Sequence, residues 1–374
     1  MLIPLRLEDG TLVGYAAISD AKYLSDPVRF SMRHRAKKKL PESVSRGYAR
    51  WHLPSLGCTV RCMTSGDSMT LPTSPALTYS IGRVDHPPTY YEVLTPAAGS
   101  AKPPVLMIHG GAHTGACYLA TPDGRQGWGH VFVAQGYQVV VPDWPGLGRS
   151  GYIPLAETSG EVIVAGLGEV LTALAGPAIV LTHSMSGAYG WKLLERHGER
   201  ITKLIAVAPA PPGNIQRPAE IVGETVDAVT IRLEGTTMAI ARHSEQPIER
   251  AFVDHTLIGG STLFPRDQIA SYAAALNPIP ARLLLERRNV AGSQLRVVDF
   301  SKFRGKPVLV LTGTNDLGHA RAVDEPIVDW LNANGAEADF IYLGDLGITG
   351  NGHMLMLERN SDALAQLIID WIES

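Results

Sequence analysis

Cysteine is scarce: Cys58, Cys62 and Cys117 are the whole complement in 374 residues. Three irregularly spaced thiols are too few for a disulfide framework, and no histidine or cysteine cluster stands beside them to suggest a metal site, so they read as reduced. Long apolar runs are missing too. No stretch reaches the ~18–20 residues needed to cross a bilayer. The start, Met1-Leu2-Ile3-Pro4 with Arg6, Glu8 and Asp9 close behind, lacks the basic and apolar regions of a signal peptide. These absences predict a cytoplasmic protein with no membrane partner. Nor is there an excess of positive charge. A formal net charge of -3 offers no field for phosphates, which argues against nucleic acid as a partner. One basic run, Arg33-His34-Arg35 with Lys37, Lys38 and Lys39, reads as a solvated segment, contact with an acidic partner being the other reading.

With 45% hydrophobic and 18% charged residues, the chain fits a folded protein that buries a large core, in one large domain or two. From Pro104 onward short β-branched runs alternate with longer amphipathic ones, the pattern of an α/β protein with a mostly parallel sheet covered by helices. Strands are predicted at Val105–His109, Gln138–Pro142, Ala178–Thr182, Leu204–Ala208, Val308–Thr312 and Asp339–Leu343. Helices are predicted at Glu161–Leu174, Gly187–His197, Val323–Asn334 and Ser361–Glu373. An antiparallel pair around Leu77–Arg83 and Thr89–Leu94 adds edge strands, preceded by an extension over residues 1–75. Residues 76–208 and 307–374 then form two parts of one core. Residues 209–306 separate them, and so long an insertion cannot be a structureless loop. It reads as a helical cap built from Ala219–Arg242, Arg266–Leu276 and Pro280–Arg288.

Four short motifs carry chemistry. Thr182-His183-Ser184-Met185-Ser186-Gly187 lies between a strand and a helix, with small residues two before and two after Ser184. A sharp turn there brings the backbone close and lifts the serine into view as a nucleophile, with the helix N-terminus aimed at developing negative charge. A helix-capping role for Ser184, or Ser186 as nucleophile, are the competing readings. His109-Gly110-Gly111-Ala112 follows a strand and suggests that the backbone N–H groups of Gly111 and Met185 form an oxyanion hole, where a plain glycine turn is the alternative. Gly350-Asn351-Gly352-His353 puts a histidine between the last strand and the last helix, where it can serve as general base. Asp316, in Gly313-Thr314-Asn315-Asp316, is the candidate carboxylate for orienting it, against an Asx turn or a helix cap; Asp345 is the reserve.

The order Ser, acid, His along the chain resembles the α/β-hydrolase superfamily. At Thr121-Pro122-Asp123-Gly124-Arg125-Gln126-Gly127-Trp128, at Asp143-Trp144-Pro145-Gly146-Leu147-Gly148-Arg149-Ser150 and at Gly347-Ile348-Thr349-Gly350-Asn351-Gly352-His353 it is similar to a subgroup of bacterial carboxylesterases that includes sulfonylurea-herbicide de-esterifying esterases. The resemblance implies carboxylesterase chemistry without a cofactor, often in homodimers. It departs where that subgroup carries its acid, a Glu in a V-E-P run; here the run is Val207-Ala208-Pro209. The subgroup's Cys-Cys pair at the oxyanion hole is replaced by Gly111 and Ala112, and Thr121–Arg125 is a turn with no catalytic part.

The sequence therefore predicts a serine hydrolase that cleaves a small ester-like substrate through an acyl-enzyme on Ser184, with no metal and no cofactor. Lactone, thioester, amide or C–C bond hydrolysis on the same residues, and a non-catalytic ligand-binding homologue, are the alternatives.

Overall fold

A computed structural model describes residues 77–233 and 236–374, together with the backbones of four short strands nearer the N-terminus. Contacts divide the chain into two units, Met1–Ser74 and Pro75–Ser374. In the first, Leu2–Arg6 pairs antiparallel with Leu12–Ala17, and Ala49–Leu53 with Cys58–Cys62. The basic run at residues 33–39 and the side chains of Cys58 and Cys62 lie outside the described residues.

The second unit is built on eight strands: β1 (Leu77–Asp85), β2 (Pro88–Pro96), β3 (Val105–Ile108), β4 (Val139–Pro142), β5 (Ala178–His183), β6 (Ile201–Val207), β7 (Pro307–Thr312) and β8 (Glu337–Tyr342). They form one sheet in the order β8-β7-β6-β5-β3-β4-β2-β1. The hairpin β1–β2 enters antiparallel, Tyr91 facing Pro142 of β4, and every pairing from β4 through β8 is parallel. Crossovers between parallel strands need helices, and these cover both faces.

Side-chain alternation along β3 shows how the sheet divides its core. Leu106 and Ile108 pack toward α2 (Gly160–Ala173), α3 (Ser186–His197) and α4 (Arg321–Ala333). Val105 and Met107 pack toward α1 (Trp128–Ala134) and α5 (Ser361–Glu373). Strands buried on both faces read as continuous apolar runs, which is why Val139–Val141 and Ala178–Leu181 stand out in the sequence. Helix α1 begins after Gly127, so Asp123 is a turn residue, bonded to Thr121 Oγ1 and Arg125 Nε. Among the described residues no helix is long and apolar enough to cross a membrane.

The segment between β6 and β7 corrects one expectation. Ala219–Arg242, predicted helical, is a three-stranded antiparallel sheet of Ile221–Glu224, Ala228–Leu233 and Thr236–Ala241. Its β-branched residues settle the matter: Val229, Ile231 and Ile240 are fully buried on one face while Val222, Val226 and Arg232 stand outward, a period of two rather than 3.6. The rest of the insertion carries short helical pieces, including Ile269–Ala274 and Ala281–Arg287, and a two-residue strand pair of Glu245–Gln246 with Ile279–Pro280.

Helix α3 sits unusually close to the end of β6. A Cβ on Gly187 would lie 2.6 Å from Pro209 Cβ and 2.8 Å from Ala210 N. Helix propensity favours alanine over glycine by about 1 kcal/mol, whereas overpacking costs roughly 1–3 kcal/mol. Gly187→Ala should therefore destabilise the protein in a denaturant melt, and a stabilised variant would refute this close packing.

Candidate active site

The carboxyl ends of β3, β5 and β7 and the loop after β8 converge on one place. At the end of β5 the chain turns so sharply that Ser184 adopts φ +55°, a left-handed conformation costly for any residue with a Cβ. Backbone bonds hold it there: Ser184 N donates to Val207 O at 3.0 Å, and Ser184 O accepts from Ala210 N at 2.8 Å. Ser184 is partly exposed in an otherwise buried run. Ser186 is fully buried instead; its hydroxyl accepts from His183 N at 2.9 Å and lies 3.0 Å from Ile108 O, which ties the turn to β3.

His353 Nε2 stands 2.9 Å from Ser184 Oγ, and His353 Nδ1 stands 2.7 Å from Asp316 Oδ2. The three residues named from sequence thus come together as one chain of contacts, although they are as much as 169 positions apart. Burial alone would raise the Asp316 carboxyl. The His353 imidazole, aided by His319 and the Gly318 N–H, outweighs it and holds Asp316 well below the usual carboxylate range. Asp345 pairs with Arg321 on the surface, and Ala208, at the position of the subgroup's Glu, is buried with φ +43°.

The loop after β3 approaches Ser184 because it carries no side chains. A Cβ on Gly110 would lie 2.9 Å from Ser184 Cβ, and one on Gly111 would overlap Met185 Sδ. Gly111 and Met185, the two residues named as oxyanion donors, are thus neighbours. His109 Nδ1 contacts Gly110 O at 2.8 Å while its Nε2 accepts from Trp144 N at 3.2 Å, so Nδ1 carries the proton and donates. In a planar trans peptide C=O and N–H point opposite ways, so this grip on the Gly110 oxygen also fixes the direction of the Gly111 N–H. His113 holds the next carbonyl, Gly111 O, at 2.7 Å and meets the Tyr272 hydroxyl at 2.9 Å. Burial pushes His109 down to about 4 and His113 down to about 3, which keeps both neutral.

Several residues that shape the site escaped the sequence reading. His183 Nε2 lies 3.0 Å from the His353 carbonyl, and burial keeps its ring neutral, so it donates there. Glu358, fully buried, accepts from Gly352 N at 2.7 Å, Asn351 Nδ2 at 2.6 Å and Ser261 Oγ at 2.5 Å, joining the histidine loop to the insertion. Burial raises the Glu358 carboxyl and these donors oppose it. The signal for Glu358 was its place five residues past His353 within a strongly apolar run. His319 stacks on His353, ring centroids 5.2 Å apart, and its Nδ1 lies 3.0 Å from Asp324 Oδ1. Burial works against a charged His319, but the Asp324 carboxylate prevails and its pKa is raised. Asp316, His319 and His353 each offer a ligand atom within 4.8 Å of the others. A cation there would have to break the His353–Asp316 bond, since their facing atoms are already committed to each other.

Glu358→Gln replaces one acceptor oxygen by a donor that faces donors, so it should cost roughly 1–3 kcal/mol of stability in a denaturant titration. His319 has a raised pKa in the folded state, so its contribution is complete below the unfolded value of ~6.5 and is lost as pH rises through the folded value. Thermal melts of wild type and His319→Gln across this range should show a wild-type advantage that shrinks as pH rises; a gap that widens would contradict the pairing with Asp324.

A model of the alpha/beta hydrolase family matches residues 105–367, which spans the sheet from β3, both core parts and the insertion. A probable secreted lipase, phiG, from a fungal species (strain ATCC 74256) is 24% identical over 356 residues, covering 79% of this chain and 88% of that protein. Among solved structures, a serine hydrolase involved in carbazole degradation superposes with a TM-score of 0.53 at 17% identity, covering 79% of this chain and 99% of its own. A methylesterase, MES16, from Arabidopsis does so with 0.52 at 14% identity, covering 73% and 99%. The superpositions show a shared fold, and the family match over residues 105–367 shows membership: the chain belongs to the alpha/beta hydrolase family, with a protein described as a lipase among its relatives.

Proposed function

We propose that this protein is a serine esterase that cleaves a carboxylic ester through an acyl-enzyme on Ser184. One observation carries the reading: a partly exposed serine on a strained turn, 2.9 Å from a histidine whose other nitrogen is bonded to a buried carboxylate. The first relative's description as a lipase supports ester chemistry, and the matching runs at Thr121–Trp128, Asp143–Ser150 and Gly347–His353 support a place near the herbicide-ester-cleaving subgroup. That relative is also described as secreted, so the cytoplasmic location rests on the sequence reading alone.

On this reading His353 Nε2 takes the proton from Ser184 Oγ as the oxygen attacks the ester carbonyl carbon. The carbonyl oxygen gains negative charge and is held by the N–H groups of Gly111 and Met185, at the N-terminus of α3. As the tetrahedral intermediate collapses, the bond to the leaving alkoxide breaks, and His353 hands it the proton, releasing an alcohol. Water repeats the sequence: His353 takes its proton, its oxygen attacks the acyl carbon, and the acid leaves as Ser184 recovers its hydrogen. Asp316 holds the imidazole in the tautomer with hydrogen on Nδ1 and stabilises the imidazolium formed at each attack. The insertion between β6 and β7 supplies the wall against which the acyl group packs, Ile279 lying 3.3 Å from a Cβ on Gly111.

Ser184→Ala should lower turnover of p-nitrophenyl esters by several orders of magnitude with the fold intact. Asp316→Asn should lower kcat on the order of 10²–10⁴. Ser186→Ala should instead weaken the fold, since it empties a buried hydrogen-bonded position, and leave turnover of the folded enzyme nearly unchanged. A fluorophosphonate probe decides the central point: labelling of folded wild type that vanishes in Ser184→Ala supports the esterase, and no labelling supports a non-catalytic binding protein.

A further inference from the structure

Three successive carbonyls of the loop after β3 are held by hydrogen bonds. Gly110 O accepts from His109 Nδ1 at 2.8 Å and from His113 N at 3.4 Å, Gly111 O from His113 Nδ1 at 2.7 Å, and Ala112 O from Asn277 N at 2.8 Å. The N–H groups between them are not. Among the described residues neither Gly111 N nor Ala112 N donates a hydrogen bond, although Ala112 is buried. Ala112 also stands at φ +66°, a left-handed conformation costly for a residue with a Cβ. Turning over the planar Gly111–Ala112 peptide would reverse Gly111 ψ and Ala112 φ together and relieve that strain. The bond from His113 to Gly111 O opposes the turn, and it needs a hydrogen on Nδ1, since a carbonyl can only accept.

The far side of the His113 ring decides where that hydrogen sits. An Nδ1 without hydrogen would accept from Ala112 N in the turned peptide, so the two tautomers of His113 belong to two conformations of the loop. The ring is neutral and carries one hydrogen, because burial pushes it down to about 3. Its Nε2 lies 2.9 Å from the Tyr272 hydroxyl, which has no other hydrogen-bond partner among the described residues. Burial holds the Tyr272 phenol well above its usual range, so it keeps its own hydrogen. A buried donor with a single acceptor in reach donates to it, which makes Nε2 the lone pair and leaves the hydrogen on Nδ1. Tyr272 is held in place: it is buried, with the Phe264 ring 5.0 Å away between centroids. Phe264 N in turn donates to Ser261 Oγ at 3.0 Å, and Ser261 is the residue bonded to Glu358 behind the histidine loop.

We propose that Tyr272 is a positioning residue for the oxyanion hole: by donating to His113 Nε2 it commits that ring to the tautomer that holds the Gly111 carbonyl, and so keeps the loop presenting N–H groups beside Ser184. The loop is close enough for its conformation to matter, a Cβ on Gly110 lying 2.9 Å from Ser184 Cβ and one on Gly111 3.3 Å from Met185 Cγ. In the turned loop a carbonyl oxygen would replace the Ala112 N–H in the peptide next to the Gly111 donor. It would repel the negative charge that grows on the ester oxygen during attack. The effect falls on the charged intermediate rather than on binding of the neutral ester.

The proposal rests on the esterase reading for its effect on rate, and its structural half is tested without catalysis. Nitrogen NMR of the wild-type protein with labelled histidine should find the His113 hydrogen on Nδ1; a hydrogen on Nε2 would overturn the proposal, whether or not any variant folds. Tyr272→Phe removes only the hydroxyl. Its kcat on p-nitrophenyl esters should fall by roughly tenfold to a hundredfold, less than the loss of a whole oxyanion donor, while KM changes less than about twofold. Glycine adopts a positive φ without strain, so in an Ala112→Gly background the same Tyr272→Phe change should cost less than about threefold in kcat. A tyrosine that served packing alone would be indifferent to residue 112. An undiminished loss in that background, or a kcat for Tyr272→Phe within about twofold of wild type, therefore overturns the inference. Ser184 labelling by a fluorophosphonate together with an unaltered kcat in Tyr272→Phe spares the esterase and sinks the positioning role; hydrogen on His113 Nδ1 with no labelling of Ser184 sinks the esterase, and the tautomer stands.

Discussion

Holding Ser184 at φ +55° costs on the order of 1–3 kcal/mol, and the surrounding architecture exists in large part to offset that strain. The backbone bonds from Val207 and Ala210 grip the serine on both sides, and they are available only because α3 lies against the end of β6. That approach needs glycine at position 187, since any Cβ would meet Pro209 and Ala210. The Ser186 hydroxyl then reaches Ile108 on β3, so the turn is anchored to both neighbouring strands of the sheet. Strand order is therefore functional: with β5 between β3 and β6, one strained residue is braced from both sides.

Histidines do two kinds of work around that serine, and burial decides which. His109, His113 and His183 are withdrawn from water with no carboxylate partner, so they stay neutral, and each uses a ring nitrogen to hold one backbone carbonyl: Gly110, Gly111 and His353. They fix the direction of peptides. His353 and His319 each face a carboxylate, Asp316 and Asp324, and Asp324 raises the pKa of His319. Two stacked imidazoles, each with its own acid, set the local field more sharply than one pair could, because the low-dielectric surroundings weaken screening.

How much of this was legible in the sequence follows from what each signal depends on. The sheet could be read because strands buried on both faces leave uninterrupted apolar runs, and Ser184, Asp316 and His353 because each lies just past a strand, where topology rather than neighbourhood assigns its place. Ala219–Arg242 was misread since its residues are apolar enough for a helix, and only the pairing of Ala228–Leu233 with Thr236–Ala241 reveals a period of two. Glu358 leaves one trace, its place in an apolar run just past His353, whereas His319 leaves none: a lone His reads as solvated until tertiary structure removes the water.

The insertion between β6 and β7 binds the separate loops into one site. Its residues reach all three functional loops by hydrogen bonds: Asn277 N to Ala112 O beside the glycines, Thr262 N to Gly350 O beside the histidine, and Gly260 O to Asn315 Nδ2 beside the acid. Ser261 and Tyr272 add side-chain bonds to Glu358 and His113. A segment joined this way cannot swing aside as a lid without breaking bonds to the glycine, acid and histidine loops together. Substrate access must therefore come past its other parts. Residues 258–279 act as a fixed brace that also carries Ile279 to the acyl wall, and freedom to move is left to portions of the insertion that lack such bonds.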